Sequence, residues 1–382
     1  MSRPGAGPGF GVYVHVPFCA RRCDYCAFAT WTDRHSLMAG YARACVAEVT
    51  AAGLPSATSV FFGGGTPSLL PAGLLAEVLA AVPRRPGAEV TVECNPDNLD
   101  AALLGAYGAA GVTRVSLGIQ SLRPHVLRAL GRDHQAETAH RAAALLAGAG
   151  FATWSVDLIY GAAGESPDDW RATVEEVLAL GPPHVSAYAL TVEAGTPLAA
   201  DPARHPDDDD QADKYLLAED LLGRAGLASY EVSNWARPGH ECRHNLLYWA
   251  QGDYRGIGCA AHSHHGGRRW WNVRTPERYM ARVGAGRSPE AAGEWLTPAQ
   301  RRREALELAL RTRAGVPATA LDPADLAELC GPAGLLARRG GRVVLTARGR
   351  LVGNEVAVRL RVPDGADDPL PEGAWVTVGA GP

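Results

Sequence analysis

Six short apolar runs alternate with longer helical stretches through the first half of the chain. The runs lie at residues 11–16, 59–62, 89–93, 114–118, 153–158 and 184–190. Alanine- and leucine-rich sequence separates them, as at 136–148 and 170–180, where glycine or proline ends the helical pattern. This alternation is typical of a parallel sheet covered by helices, and six units are too few for a closed eight-stranded barrel. We therefore predict an α/β fold with a partial (β/α)6 barrel.

The 382 residues can form one barrel and a small appended domain. We predict a flexible N-terminus at 1–10, the barrel at 11–283, a Gly-, Pro- and Ala-rich connector at 284–296, a C-terminal domain at 297–362 and a disordered tail at 363–382. In the C-terminal domain, a capping box at 297–300 predicts a helix to about residue 313. A second helix at 323–330 and a hairpin at 342–348 complete a helical domain with a small wing. We interpret it as a lid or partner-docking domain, because it lacks the dense basic helix of a DNA-binding domain.

Charge is nearly balanced, with 37 basic and 41 acidic residues and a formal net charge of -4. A protein that coats nucleic acid normally has a basic excess, so nucleic acid is not an expected partner. The sequence has no signal-peptide pattern and no apolar stretch of the ~20 residues that span a membrane. Five of the eight cysteines are scattered without disulfide-like spacing, which fits a reducing compartment. These features predict a cytoplasmic protein.

Three cysteines, Cys19, Cys23 and Cys26, follow the first predicted strand at spacings of four and three residues. Three thiolates can hold a 4Fe-4S cluster and leave one iron open to a substrate. A structural zinc site usually has four closing ligands in paired short spacings. The alternatives are a zinc knuckle or incidental buried thiols. The pattern favours an open iron-sulfur cluster.

Polar or glycine-rich segments also follow the next four predicted strands. A run of three glycines at 63–65 follows the second strand, and Glu93, Gln120 and Asp157 lie at the ends of the third, fourth and fifth strands. A single Gly loop or strand-end acid is more often a turn or a cap than a site. Because the strands of a parallel barrel end at one face, where such proteins carry their chemistry, the whole set predicts a single site there.

Six segments carry a resemblance to a known family. They are Tyr13-Val-His-Val-Pro-Phe-Cys19, Phe62-Gly-Gly-Gly-Thr-Pro67, Val92-Glu-Cys-Asn-Pro96, Arg114-Val-Ser-Leu-Gly-Ile-Gln120, Leu130-Gly-Arg-Asp-His134 and Val156-Asp-Leu-Ile-Tyr-Gly161. In this order they resemble the radical S-adenosylmethionine (SAM) proteins around oxygen-independent coproporphyrinogen III oxidase. The resemblance implies that the three cysteines hold a 4Fe-4S cluster whose fourth iron takes the amino and carboxylate groups of SAM.

The same resemblance implies a set of SAM contacts. They are Tyr13, Tyr25, Gly64, Gly65, Thr66, Glu93, Gln120, Arg132, Asp157 and Ala189. Their chemistry fits this role in part, because carboxylates and an amide suit sugar hydroxyls and a guanidinium suits the methionyl carboxylate. Tyr25, between two of the ligand cysteines, would shield the cluster and help set its potential.

Three features point to the heme-chaperone branch of this family, HemW. Phe28 stands where the oxidase has a fourth cysteine, and the first strand is predicted to begin at residue 11, without the oxidase's longer N-terminal arm. The third feature is the segment His244-Asn-Leu-Leu-Tyr-Trp249, which matches the family's His-Asn-x-x-Tyr-Trp motif and lies in a predicted heme-binding region at 230–265.

The motif also suits heme on chemical grounds. Heme is a flat apolar ring with propionate edges, and its iron favours imidazole. His244, Asn245, Tyr248 and Trp249 could supply a ligand, a polar rim and aromatic walls. The alternative is structural, with His244 capping a turn while Tyr248 and Trp249 fill the core. Axial ligation by His244 is a hypothesis at this point.

Two functions follow. The first is a heme chaperone that carries a 4Fe-4S cluster and SAM and delivers heme to an acceptor protein, with a membrane-associated acceptor, an electron donor and a second copy of the chain as candidate partners. The second is the oxidase, which uses a 5'-deoxyadenosyl radical to decarboxylate coproporphyrinogen propionates. Phe28 and the early first strand argue against the second.

Overall fold

A computed structural model of the chain describes residues 9–132 and 134–361 and confirms the predicted partial barrel. Its six parallel strands are β1 Phe10–Val16, β2 Ala57–Gly64, β3 Arg84–Cys94, β4 Arg114–Gln120, β5 Thr153–Tyr160 and β6 His184–Ala189. Each pairs with the next in parallel register. The helices between them are α1 Met38–Ala52, α2 Ala72–Ala81, α3 Ala101–Ala110, α4 Pro124–Ala129, α5 Ala136–Gly148 and α6 Pro167–Ala179.

The sheet extends beyond these six strands on both sides. The added elements are α7 Asp208–Arg224, β7 Ala228–Ser229, β8 Asn234–Ala236, α8 Arg243–Trp249, β9 Asp253–Ile257, β10 His262–His265, β11 Arg268–Asn272, α9 Pro276–Gly284 and β12 Glu290–Trp295. Strand β9 pairs in parallel with the free edge of β1, and β10, β11 and β12 continue it as antiparallel strands. At the other edge, β8 and β7 follow β6. The result is a mixed sheet of twelve strands.

The predicted connector at 284–296 is therefore not a simple linker, because it contains β12. This strand pairs with β11 at the edge of the sheet. Gly293 belongs to the strand for a steric reason, since a Cβ there would lie 2.8 Å from Cβ of Trp270 and 2.9 Å from the carbonyl oxygen of Arg269. Its glycine content, which suggested a loop, instead permits this close approach between strands.

The barrel strands alternate between an apolar and a polar face. Outward side chains such as Val60, Val92 and Leu117 are fully buried against the helices. Most inward side chains are polar, with Phe61 and Ile159 as exceptions, and Ser116 and Ser155 share a hydrogen bond of 2.8 Å across neighbouring strands. Because strand side chains point alternately to the two faces, this pattern gives the barrel an apolar outer layer and a lumen that contains many polar groups.

The C-terminal domain has its own hydrophobic core, which includes Leu306, Leu326 and Val343. Its elements are α10 Pro298–Leu310, β13 Val316–Pro317, α11 Pro323–Cys330, β14 Leu336–Arg339, β15 Arg342–Leu345, α12 Ala347–Leu351 and α13 Gly353–Arg359. The capping box at the start of α10 is present, with Thr297 and Gln300 bonded to each other's backbone.

The hairpin predicted at 342–348 is displaced. Its strands are β14 and β15. Thr346 ends the hairpin because its hydroxyl accepts a hydrogen bond from the backbone N–H of Gly349 and caps α12.

The predictions for residues 1–8 and 362–382 lie outside the described residues. No helix of the described part of the chain has the length and apolar character needed to cross a membrane.

Candidate functional site

The cysteine loop leaves β1 and is anchored at several points. The backbone N–H of Cys19 donates to the carbonyl of Trp31 at 3.1 Å, and the carboxylate of Asp24 pairs with Arg204 at 2.8 Å. Cys19, Cys23 and Cys26 are all free thiols. Burial raises the pKa of Cys19 and of Cys26, so in the ligand-free chain these two groups favour the protonated thiol.

The loop forms part of the wall of a cavity of about 810 Å3 within the barrel. Every residue predicted to contact SAM also lines this cavity: Tyr13, Tyr25, Gly64, Gly65, Thr66, Glu93, Gln120, Arg132, Asp157 and Ala189. They reach it from β1 to β6 and from the segments that follow these strands. The topology thus gathers residues more than 170 positions apart in sequence around one space.

The glycine run at the end of β2 packs directly on the cysteine loop. The backbone N–H groups of Gly65 and Thr66 donate to the carbonyls of Val16 and Phe18, both at 2.8 Å. A Cβ at Gly65 would lie 2.7 Å from the carbonyl oxygen of Phe18 and 3.0 Å from the sulfur of Cys19. This crowding explains the glycine at 65 and couples the position of the run to that of a predicted cluster ligand.

Two carboxyl groups, Glu93 and Asp157, lie on the cavity wall. Removal from water raises the pKa of Glu93 to about 8, and the negative charge of Asp157 adds to this effect. Asp157 accepts hydrogen bonds from the hydroxyls of Ser116 and Ser186, each at 2.7 Å. Glu93 therefore holds a proton at neutral pH in the ligand-free chain and can donate a hydrogen bond as well as accept one.

We expect Glu93→Gln to reduce the pH dependence of folding stability in the ligand-free protein. The pKa of Glu93 is about 8 in the folded chain and near its usual 4.5 when unfolded, so unfolding releases a proton between these pH values. The free energy of unfolding should fall as pH rises from 4.5 to 8, by about 4 kcal/mol from this group. Denaturant unfolding at pH 5 and pH 8 measures the difference.

The control is Glu77→Gln on the exposed face of α2, which should keep the parent's pH dependence. An equal pH dependence in the parent and in Glu93→Gln would contradict the raised pKa of Glu93.

Arg132 brings a guanidinium to the cluster end of the cavity. It donates to the sulfur of Cys23 at 3.5 Å and to the carbonyl of Gly118 at 3.1 Å, and it also bonds the side-chain oxygen of Asn95. Asn95, in the loop after β3, was not among the predicted site residues. The sequence did offer one indication of its role, because Asn95 directly follows Glu93 and Cys94 at the end of a strand.

The segment with the His-Asn-x-x-Tyr-Trp pattern forms α8, which closes the opposite end of the barrel. Glu89 of β3 holds the start of this helix by accepting the backbone N–H groups of Arg243 and His244, each at 3.1 Å. His244, Asn245 and Tyr248 line the cavity, whereas Trp249 does not. The helix thus forms the floor of the same cavity whose upper rim carries the cysteines.

Both ring nitrogens of His244 have hydrogen-bond partners. Nδ1 lies 2.8 Å from the hydroxyl of Ser59, and Nε2 lies 2.8 Å from that of Tyr248. Burial lowers the pKa of His244 to about 3, so the imidazole is neutral. A neutral imidazole is the form that binds a metal, but here ligation requires one of the two hydrogen bonds to break. Sequence alone did not indicate these partners.

The comparisons with known proteins define the class of this chain. Residues 13–177 match the model of the Radical SAM superfamily, and residues 296–352 match that of the HemN C-terminal domain. Coproporphyrinogen III oxidase (HemN) from Escherichia coli has the same fold, with a TM-score of 0.80 at 21% identity over 92% of this chain and 89% of that one. The fold is that of a radical SAM protein, a class that implies a 4Fe-4S cluster and SAM.

The particular family follows from closer relatives. The heme chaperone HemW of Mycobacterium tuberculosis is 44% identical, over 92% of this chain and 95% of the relative. HemW of Escherichia coli K12 is 38% identical over 67% of this chain and 70% of its own length, and HemW of Synechocystis is 36% identical over 80% and 78%. The chain belongs to the HemW family of heme chaperones.

Proposed function

We propose that this chain is a cytoplasmic chaperone that binds heme and transfers it to an acceptor protein. In this proposal Cys19, Cys23 and Cys26 hold a 4Fe-4S cluster, and SAM occupies the upper part of the cavity. The observation that carries the proposal is that one cavity is bordered by the three free thiols at its rim and by His244, Asn245 and Tyr248 at its floor.

The residues present suit the two cofactors. The thiols are unpaired, Gly65 has no side chain that would displace Cys19, and Arg132 offers a half-buried guanidinium for a carboxylate. When bound, the reduced cluster supplies an electron to SAM. The chain itself orients these groups within the barrel lumen. An external electron donor, a heme acceptor that can be membrane-associated and a second copy of the chain are the partners that we propose.

Phe28 supports the chaperone over the oxidase. Its side chain lines the cavity rim next to Cys26 and is 63% exposed. A phenyl ring has no thiol and cannot replace the cysteine that the oxidase carries at this position.

The test is an anaerobic assay of the reconstituted full chain. We expect stoichiometric heme uptake, seen as a shift of the heme absorption band, and no formation of protoporphyrinogen IX from coproporphyrinogen III in the presence of SAM and reductant. Turnover of coproporphyrinogen would favour the oxidase. An absence of heme uptake would refute the chaperone proposal.

The same assay tests His244 as the axial ligand that we propose. His244→Ala should weaken heme binding by about tenfold or more and change the Soret spectrum, because an iron-imidazole bond is lost. Tyr248→Phe is the matched control, since it removes the hydroxyl that occupies Nε2 and leaves the imidazole free to ligate. Unchanged affinity and spectrum in His244→Ala would exclude ligation by this residue.

A further inference from the structure

A buried arginine lies at the floor end of the cavity, away from the cysteines. Arg114 is the first residue of β4, is 2% exposed and lines the cavity. Its guanidinium donates to the carbonyl of His240 at 3.1 Å and to the hydroxyl of Thr153 at 3.5 Å. Both acceptors are uncharged, and a guanidinium carries five N–H donors. The guanidinium therefore has further N–H donors that a ligand in the lumen could accept from.

The nearby carboxylates do not pair with Arg114. Among the residues that the structure describes, no carboxylate forms an ion pair with its guanidinium. Glu89 is engaged by the start of α8, where it accepts two backbone N–H groups, and Asp157 is engaged by two serine hydroxyls. Buried charges in proteins are normally paired, because an isolated one is costly to remove from water. Arg114 is therefore a buried cation, and the two carboxylates near it accept hydrogen bonds from other groups.

A second polar side chain near the same floor has one ring nitrogen without a hydrogen-bond partner among the described residues. His184, the first residue of β6, is 1% exposed, and its Nε2 lies 2.9 Å from the hydroxyl of Tyr230. Its Nδ1 has no hydrogen-bond partner among the described residues. His184 and the amide-bearing Asn245 line the same cavity as Arg114. The floor thus combines a guanidinium, an unsatisfied imidazole nitrogen and an amide.

We propose that this floor, formed by Arg114, His184 and Asn245, is a binding site for a carboxylate of the ligand. Arg114 pairs with the carboxylate through a charge-assisted hydrogen bond, as guanidinium groups commonly do. The site is separate from Arg132, which lies beside Cys23 at the opposite end of the cavity. Its ligand assignment rests on the proposed function, because heme carries two propionates that can supply the carboxylate.

The test compares heme with its dimethyl ester, which has the same ring but no carboxylates. The reconstituted parent chain should bind heme about tenfold or more tightly than the ester, since a charge-assisted pair is lost with the ester. Arg114→Gln should bind both with similar affinity, close to that of the parent for the ester, and Arg114→Lys should keep much of the preference for heme. An unchanged preference in a folded Arg114→Gln would overturn the proposal. Circular dichroism reports folding.

A second experiment distinguishes a failure of this proposal from a failure of the proposed function. If the parent binds neither porphyrin, the chaperone function fails, and acetate then serves as the probe. Acetate should raise the melting temperature of the parent and not that of Arg114→Gln if the floor binds small carboxylates. An equal effect of acetate on both proteins, or none on either, would overturn the site itself.

Discussion

Replacement of Cys19, Cys23 or Cys26 by serine is expected to leave the chain without its 4Fe-4S cluster. Serine is a hard oxygen ligand that holds iron-sulfur clusters poorly, and only three protein ligands are available at this site. After anaerobic reconstitution with iron and sulfide, we expect bound iron and sulfide of each variant below about a tenth of the parent's, with loss of the broad visible absorbance. SAM binding should be lost with the cluster.

Cys330→Ser provides the matched control for these variants. Cys330 is a free, partly buried thiol at the end of α11, in the C-terminal domain. After reconstitution, the Cys330→Ser variant should bind as much iron and sulfide as the parent. Retention of the full cluster in any one of the three serine variants would show that the corresponding cysteine is not a ligand. Colourless metal binding by the parent would favour the zinc alternative.

Gly65→Ala is expected to impair both the cluster and SAM binding without altering any ligand. The added methyl group would lie 2.7 Å and 2.9 Å from the carbonyl oxygens of Phe18 and Val16, which are backbone atoms that cannot rotate away. The cysteine loop must therefore shift, at a cost of about 1–3 kcal/mol in stability. We expect SAM affinity to fall by about tenfold or more, as measured by equilibrium dialysis.

Gly73→Ala is the control for this substitution. Gly73 lies in α2, and a Cβ there would meet nothing within 4 Å. Alanine in a helix is about 0.5–1 kcal/mol more favourable than glycine, so this variant should be slightly more stable than the parent and bind SAM normally. Normal SAM binding by Gly65→Ala would contradict the steric argument.

Much of the barrel could be predicted from sequence because its signals are local. The apolar runs of the six strands, the helix at 136–148 and the capping box of α10 each depend on neighbouring residues. Strand β12 could not be predicted in this way. Its stability comes from pairing with β11 across a sheet edge, and its glycine resembled a loop signal.

The candidate site shows a similar limit. The motifs indicated which residues face the cavity, but not their hydrogen-bond partners in the fold. His244 is bonded to Ser59, which lies 185 positions away, and the role of Glu89 in holding α8 depends on a contact across 155 positions. Arg114 looked like an ordinary strand residue, because the engagement of the nearby Glu89 and Asp157 by other groups is a property of the assembled lumen.

The attachment of α8 to Glu89 has a consequence for biosynthesis. Strands β1 to β3 emerge first from the ribosome, yet the segment that seals their lumen is made some 150 residues later. Until then Ser59 and Glu89 lack the partners that they have in the finished chain, and β1 lacks its neighbour β9. Contacts between distant segments form late in folding. The cavity is therefore completed only after the sequence through β9 has been synthesised. We therefore expect the cofactors to bind only after this segment has been synthesised.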